Sequence, residues 1–413
     1  KAVIFLPNHR SAFMDPIVIS TLLRPEMHFL VRGESFTNKI MIRIYNKLNM
    51  IPIYRRAYSP DEVHKNDDVF EHCFALLESH GALMIFPEGL CQTKFLLAPL
   101  KTGTARIALG AEQKNKYELD LQLVPIGINY TNPHAFRGGL VLDIGEPIAV
   151  KDYQAGFESD PEPTVKKLTA DIQDQLSSLI ITLKQTDDDE LIRRTELLFE
   201  NTEEIEGELG SKKWYDKRKI IAGGINFFRE TNPAELASFE SRLHTYFLRA
   251  KLIDPKSISP HDTFARLKID SGILQWLLLI VGFPIFLFGI ICHVIPFLLT
   301  RFLALSIVKR TDFTGSVFLA LGLLVFTIFG LAEARLAYVL SESYFIAVVF
   351  LMIWPTLGLF SYSYYFSAGS NIRRLRTWIK GRNRKRLKVY LEDEKRELLN
   401  ILTNAFTEFN KKA

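Results

Sequence analysis

The octet Asn8-His-Arg-Ser-Ala-Phe-Met-Asp15 follows a short apolar run, Val3 to Leu6, and puts a histidine and a carboxylate where a buried strand ends. Histidine is the side chain best suited to take a proton from a hydroxyl near neutral pH. A nearby aspartate fixes the ring tautomer and stabilises the imidazolium that forms. The chemistry of such a pair is activation of a hydroxyl as a nucleophile. Taken alone, the octet also fits a loop histidine followed by a helix-starting aspartate.

Spacing constrains how the pair is built. On an ideal helix a separation of six residues rotates two side chains by about 600°, roughly 120° off one face. His9 and Asp15 therefore cannot meet on one regular helix. His9 is expected in the turn after the strand, with Asp15 in or near the first turn of the helix that follows. Asp15-Pro16 agrees, because proline is tolerated at the start of a helix and pushes its predecessor out of the α region. Asp15 is thus also a plausible N-cap, and a cap alone is the competing reading.

Three later motifs follow in order. Ile51-Pro-Ile-Tyr-Arg55-Arg56 is a β-rich run that delivers an arginine. Leu83-Met-Ile-Phe-Pro87-Glu88-Gly89 is an apolar run closed by Pro-Glu-Gly. Leu123-Val-Pro125-Ile-Gly127-Ile-Asn129-Tyr130 is a fourth. Apolar runs of this length, closed by Pro, Gly or a polar residue, read as buried strands of an α/β sheet. In such folds the polar groups at several strand ends converge on one rim.

This ordered set, from about Val3 to Ile148, resembles the glycerol-phosphate and lysophospholipid acyltransferase (PlsC-like) family. That family carries an Asn-His-x4-Asp block, a block ending in Arg, a Phe-Pro-Glu-Gly block and a Val-Pro block. Two departures stand out. Five residues, not four, separate His9 from Asp15, and Asn49 or Met50 stands where the second block usually opens with glycine. The longer gap, with Leu100-Lys101-Thr-Gly103 and Asn129-Tyr130-Thr-Asn-Pro133-His-Ala-Phe136-Arg137, is similar to a subgroup that includes fungal-type glycerol-3-phosphate acyltransferases. The third block continues Leu90-Cys91-Gln92, without the Arg or Ser common after that glycine.

The resemblance implies acyl transfer from a thioester to a glycerol hydroxyl. His9 would be the general base and Asp15 its partner, with the substrate oxygen in the place of a catalytic serine. Backbone N–H groups of the Pro87-Glu88-Gly89 turn are candidate donors to the oxyanion. Arg55 is the first choice for the acceptor's phosphate, with Arg56 and Lys101 behind it. Lys101 also reads as a solvated lysine at a helix start. Glu88 would bind glycerol hydroxyls or position Arg55. Asn8, Arg10, Ser11 and Gly89 complete the expected substrate-binding set. No metal and no cofactor are expected; acyl-CoA or acyl carrier protein enters as a substrate. The resemblance also implies an N-terminal helix ahead of Lys1, where the chain starts without an initiator Met.

Composition adds the membrane. The chain has 413 residues and 48% hydrophobic residues, enough for two or three domains. The apolar residues concentrate in three uncharged stretches, Ser271–Thr300, Phe313–Ala332 and Ser343–Ile372. Each exceeds the roughly 20 residues that cross a bilayer core. No acid or base inside them argues against a transport path. Cys73, Cys91 and Cys292 form neither a disulfide framework nor a metal motif. Nine Lys or Arg and no acid between Ser370 and Tyr390 mark a juxtamembrane segment on the cytoplasmic side. Gly282, Pro284, Gly289 and Pro296 in the first stretch suggest a re-entrant hairpin, which would return the chain to its starting side. The basic cluster is explained by membrane lipids, so the net charge of +5 does not imply nucleic acid.

The expected organisation is an α/β acyltransferase domain over 1–185, closed by an amphipathic helix through Leu168, Ile172, Leu176 and Leu179. An α-helical insert follows over 186–270, its aromatics Trp214, Tyr215, Phe227, Phe228, Phe239 and Phe247 read as core. A membrane region over 271–372 comprises the hairpin 271–300 and spans 313–332 and 343–368. A basic segment with an amphipathic tail helix occupies 373–413, lying on the membrane or packing on protein. The expected protein is a multi-pass membrane enzyme, its catalytic domain facing the cytoplasm, that acylates glycerol-3-phosphate or 1-acylglycerol-3-phosphate. The alternatives are acylation of another lysophospholipid or amino lipid, and a non-catalytic membrane scaffold.

Overall fold

The structure is a computed structural model. It describes residues 1–36, 38–55, 59–92, 95–133, 138–185, 188–199, 214–253, 272–308 and 313–412. Arg56, Phe136, Arg137 and Asp187 lie outside the described residues. The chain divides into two compact units, Lys1–Pro133 with Leu140–Thr182, and His134–Gly139 with Leu183–Ala413.

The first unit is a seven-stranded sheet with helices. In chain order it runs β1 (Val3–Pro7), α1 (Met14–Leu22), β2 (Met27–Arg32), α2 (Lys39–Lys47), β3 (Met50–Ile53), α3 (Asn66–Glu78) and β4 (Ala82–Met84). Then come α4 (Gly103–Lys114), β5 (Gln122–Tyr130), β6 (Leu140–Ile144), β7 (Ile148–Ala149), α5 (Gln154–Ser159) and α6 (Pro161–Leu179). The strand order is β3-β2-β4-β1-β5-β6, with β7 also on β5. The strands from β3 to β5 are parallel, and β6 and β7 pair antiparallel with β5. Pro52 sits in β3 at the sheet edge, where a missing N–H is tolerated.

Alternation along the strands builds two cores. Ile4 and Leu6 of β1 point with Leu83 and Leu123 into a layer of α3, α4 and α6 that includes Cys73, Leu77, Ile107, Leu109, Leu168, Ile172 and Leu176. Met84, Ile126 and Ile128 face the other way, toward Ile19 of α1. Parallel pairing has a consequence for chemistry. The segments after β1, β2, β3, β4 and β5 all leave at the same rim. Gly127 explains how α6 closes against β5: a Cβ there would lie 2.2 Å from Leu179 O. Asn129, two residues on, holds the end of α6, donating to Leu179 O and accepting from Ile181 N, both at 2.9 Å.

The second unit is helical: α7 (Asp188–Phe199), α8 (Trp214–Thr231), α9 (Pro233–Ile253), α10 (Gly272–Ile307), α11 (Thr314–Ser341), α12 (Tyr344–Asn383) and α13 (Lys385–Lys412). Tyr215, Phe228, Phe239 and Phe247 are buried. The ion pairs Arg218–Glu196 and Arg229–Asp188 tie α8 to α7. The tail helix α13 packs on α9 and α8, with Leu391, Leu398 and Leu399 buried. Three of these helices are long and apolar enough to cross a membrane, over Leu279–Ile307, Thr314–Ser341 and Tyr344–Gly369.

Two expectations for this region are overturned. Residues 272–307 form one continuous helix, not a re-entrant hairpin. An interior proline removes one backbone hydrogen bond and bends a helix without reversing it, so Pro284 and Pro296 are accommodated. The apolar stretches also hold ionisable groups. α11 runs on past Ala332 and carries Glu333 inside it, where Trp354 Nε1 donates to Glu333 Oε2 at 2.8 Å. His293 of α10 is buried and stacks on the Trp354 ring at 4.2 Å. A polar side chain with a partner does not end a helix, so α11 continues past the stretch that closes at Ala332.

Candidate active site

The octet sits at the rim directly after β1. Asn8 is clamped across the sheet: its Nδ2 donates to Ile128 O at 3.2 Å, and Ile128 N donates to its Oδ1 at 2.6 Å. With the residue 1% exposed, this amide is a strut between β1 and β5, which sets the start of the turn. The chain then turns through His9 to Phe13, and the extra residue of the longer gap is taken up in that turn before α1.

Asp15 lies in the first turn of α1 and is fully buried. It is not an N-cap. Phe13 occupies that position, without a side-chain cap, and the carboxylate reaches backwards instead. Asp15 Oδ2 accepts from Arg10 N at 2.7 Å and Ser11 N at 2.8 Å, and lies 2.8 Å from His9 Nδ1. Asp15 Oδ1 accepts from Tyr130 OH at 2.7 Å. A buried carboxylate needs such donors, because an unpaired buried charge is costly. With Nδ1 directed at a carboxylate, the neutral ring carries its proton there and leaves Nε2 as the basic nitrogen. The His9 side chain is 17% exposed, and its ring stacks on Phe86 at 4.1 Å.

Glu88 is 2% exposed. Its Oε1 accepts from His9 N at 2.8 Å and its Oε2 from Ala98 N at 3.0 Å. Burial pushes its carboxyl above the ordinary range, and the two N–H donors oppose that shift. Glu88 therefore brackets the His9 turn to the segment before α4. Arg55 Nη1 donates to Gly89 O at 2.8 Å, and its Nη2 lies 3.6 Å from Glu34. Gly89 takes a positive φ of 67°, which bends the Pro-Glu-Gly turn and aims its carbonyl at Arg55. Lys101 is exposed; its backbone N donates to Pro87 O at 2.8 Å, and its Cγ lies 3.5 Å from where a Gly89 Cβ would be. Arg55 and Lys101 thus meet the same glycine turn.

The remaining members of the expected set are structural in their contacts. Arg10 is buried, donates from Nη2 to Ile181 O at 3.0 Å and lies over the Phe95 ring at 5.0 Å. Ser11 is fully buried. Of the three residues in the turn, Pro87 has no N–H to offer an oxyanion and the N–H of Gly89 donates to Phe86 O at 3.0 Å. That leaves Glu88.

Sequence reasoning missed Tyr130 and Phe86. Burial and the adjacent Asp15 raise the Tyr130 hydroxyl well above its ordinary value, so it stays a proton donor to the carboxylate. The available signal was position: Tyr130 ends β5, and every strand of the parallel set delivers its C-terminal residues to this rim.

Residues 1–129 match the model of the Acyltransferase family. The chain is 34% identical over 132 residues to glycerol-3-phosphate O-acyltransferase 1 of Saccharomyces cerevisiae, covering 31% of this chain and 17% of that protein. It is 36% identical over 115 residues to glycerol-3-phosphate O-acyltransferase 2 of the same yeast, covering 28% and 15%. An uncharacterised acyltransferase of Schizosaccharomyces pombe is 29% identical over 148 residues, covering 36% and 20%. The matched stretch thus spans a fifth or less of each relative's length. Residues 1–129 of the N-terminal unit thus carry an acyltransferase domain.

Proposed function

We propose that this protein acylates a hydroxyl of glycerol-3-phosphate or its 1-acyl form, taking the acyl group from the thioester of acyl-CoA or acyl carrier protein. The observation that carries the reading is the His9–Asp15 pair, with Asp15 fully buried and accepting from two backbone N–H groups and a phenol. His9 Nε2 removes the proton of the acceptor hydroxyl as its oxygen attacks the thioester carbonyl. Asp15 stabilises the imidazolium. The tetrahedral intermediate collapses with cleavage of the C–S bond, and the proton on His9 passes to the departing thiolate. Base catalysis of this kind contributes about 10²–10⁴-fold. Glu88 N–H is the donor from the Pro-Glu-Gly turn to the oxyanion. Arg55 and Lys101, on either side of Gly89, hold the acceptor's phosphate. Asn8, Arg10, Ser11 and the Glu88 carboxylate act by building the turn. The yeast relatives named as glycerol-3-phosphate O-acyltransferases support the acceptor class.

The same reading covers topology. Arg242 of α9 pairs with Glu394 at 2.9 Å and Glu397 at 2.5 Å of α13, and Arg249 lies over the Tyr390 ring at 4.5 Å. Helices that touch share one side of a bilayer, so the chain between them crosses an even number of times. α10 and α12 run antiparallel, with Tyr364 OH donating to Leu279 O at 2.5 Å and Trp354 against His293. α11 packs against both, and an even count takes two crossings from these three candidate spans. The basic segment after α12 supports a cytoplasmic shared side.

The experiment is acyl transfer by the purified full chain to a panel of acceptors. Acylation of glycerol-3-phosphate or 1-acylglycerol-3-phosphate is expected. Acylation confined to acceptors without a phosphomonoester would remove this function.

A further inference from the structure

Helix α2 has no buried residue. Asn38 caps it, accepting from Ile40 N at 3.1 Å and Met41 N at 2.9 Å, so the helix is well started despite its exposure. Ile40, Ile44 and Leu48 recur every four residues and are 69%, 44% and 52% exposed. Four-residue spacing sets them in one stripe. Lys39, Arg43 and Lys47 form a second stripe beside it, and the helix contains no acid. The nearest acid before it, Glu34, is paired with Arg55. A short helix with an apolar stripe bordered by cations has the form of an element that lies in a membrane surface.

The position of α2 gives the surface a purpose. It follows β2, whose end lies on the same rim as His9, Arg55 and Glu88. The segment Gly33–Ser35 between β2 and α2 is tied to that rim through Glu34 and Arg55. We propose that α2 docks on the surface of an anionic lipid bilayer, with Ile40, Ile44 and Leu48 in the boundary between headgroups and acyl chains. Lys39, Arg43 and Lys47 meet lipid phosphates. Docking turns the catalytic rim toward the lipid, where acyl chains enter and leave. The second unit supplies membrane-crossing helices; α2 is a separate contact made by the catalytic unit itself.

The test uses the full chain in vesicles of phosphatidylcholine alone, or with 30 mol% phosphatidylglycerol. Ile44→Cys in a Cys91→Ser background is labelled with an environment-sensitive fluorophore, and Glu118→Cys, ahead of β5 at the opposite rim, is the control. The label at 44 is expected to blue-shift and to be quenched by bromine-labelled lipid in anionic vesicles, while that at 118 stays water-like. Each cation near an anionic surface contributes about five-fold, so Lys39→Gln, Arg43→Gln and Lys47→Gln together lower the docked-to-undocked ratio by on the order of a hundred-fold. A water-like label at 44 in both vesicles would overturn the proposal. So would shielding without bromolipid quenching, which would assign the stripe to a second copy or another protein segment.

Discussion

Asp15→Asn isolates the charge of the buried carboxylate from its geometry. Asparagine has the same shape, and its oxygen can still accept from Arg10 N and Ser11 N while its amide group faces the Tyr130 hydroxyl. The turn that carries His9 should therefore survive. The charge opposite the imidazolium does not. At the 2.8 Å separation of His9 Nδ1 and Asp15 Oδ2, a unit pair at an effective dielectric constant of 20 is worth about 6 kcal/mol. His9 is partly exposed, so solvent screens some of this, leaving about 4–5 kcal/mol. That corresponds to a fall in kcat of about 10³–10⁴-fold, with the acceptor KM changed by less than about three-fold because Arg55 and Lys101 are untouched. The assay is steady-state acyl transfer with varied acceptor, alongside circular dichroism to verify the fold. A kcat within ten-fold of wild type in a folded variant would show that Asp15 does not stabilise charge on His9.

Tyr130→Phe removes one donor to Asp15 and leaves the ring. A hydrogen bond to a charged group is worth about 1.5–3 kcal/mol, so kcat should fall about 10–100-fold at constant acceptor KM. An unchanged kcat would make Tyr130 a packing residue only. Arg55→Ala should raise the KM for a phosphorylated acceptor by at least about ten-fold; full activity with unchanged KM would take Arg55 out of phosphate binding. A reporter fused after Ala413 should be active on the cytoplasmic side, and activity only outside would break the α9–α13 topology.

The four ordered motifs made most of the first unit readable. The strands closed by Asn-His, by Pro-Glu-Gly and by Asn129-Tyr130 are parallel neighbours that share a rim. Helical rotation alone put His9 before the helix and Asp15 inside it. What stayed hidden depended on side-chain contacts between distant segments. Nothing local says that the Asn8 amide is used on Ile128, 120 residues away, or that the Glu88 carboxylate closes on His9 N and Ala98 N. Nor does residue type tell which way a carboxylate points, so Asp15 read as a plausible cap as well as a partner of His9. The membrane region failed differently. Glycine and proline content suggested a reversal, but a helix held along its length by α11 and α12 tolerates both prolines. Glu333 looked like a helix boundary until Trp354 supplied its partner.

The central claim is that His9 is the base that activates the acceptor hydroxyl. Its most direct test is single-turnover acyl transfer from labelled acyl-CoA to glycerol-3-phosphate and to 1-acylglycerol-3-phosphate, comparing wild-type chain with His9→Ala. The account predicts product from at least one acceptor with wild type and a rate about 10²–10⁴-fold lower in the variant. Undiminished turnover in His9→Ala would contradict it.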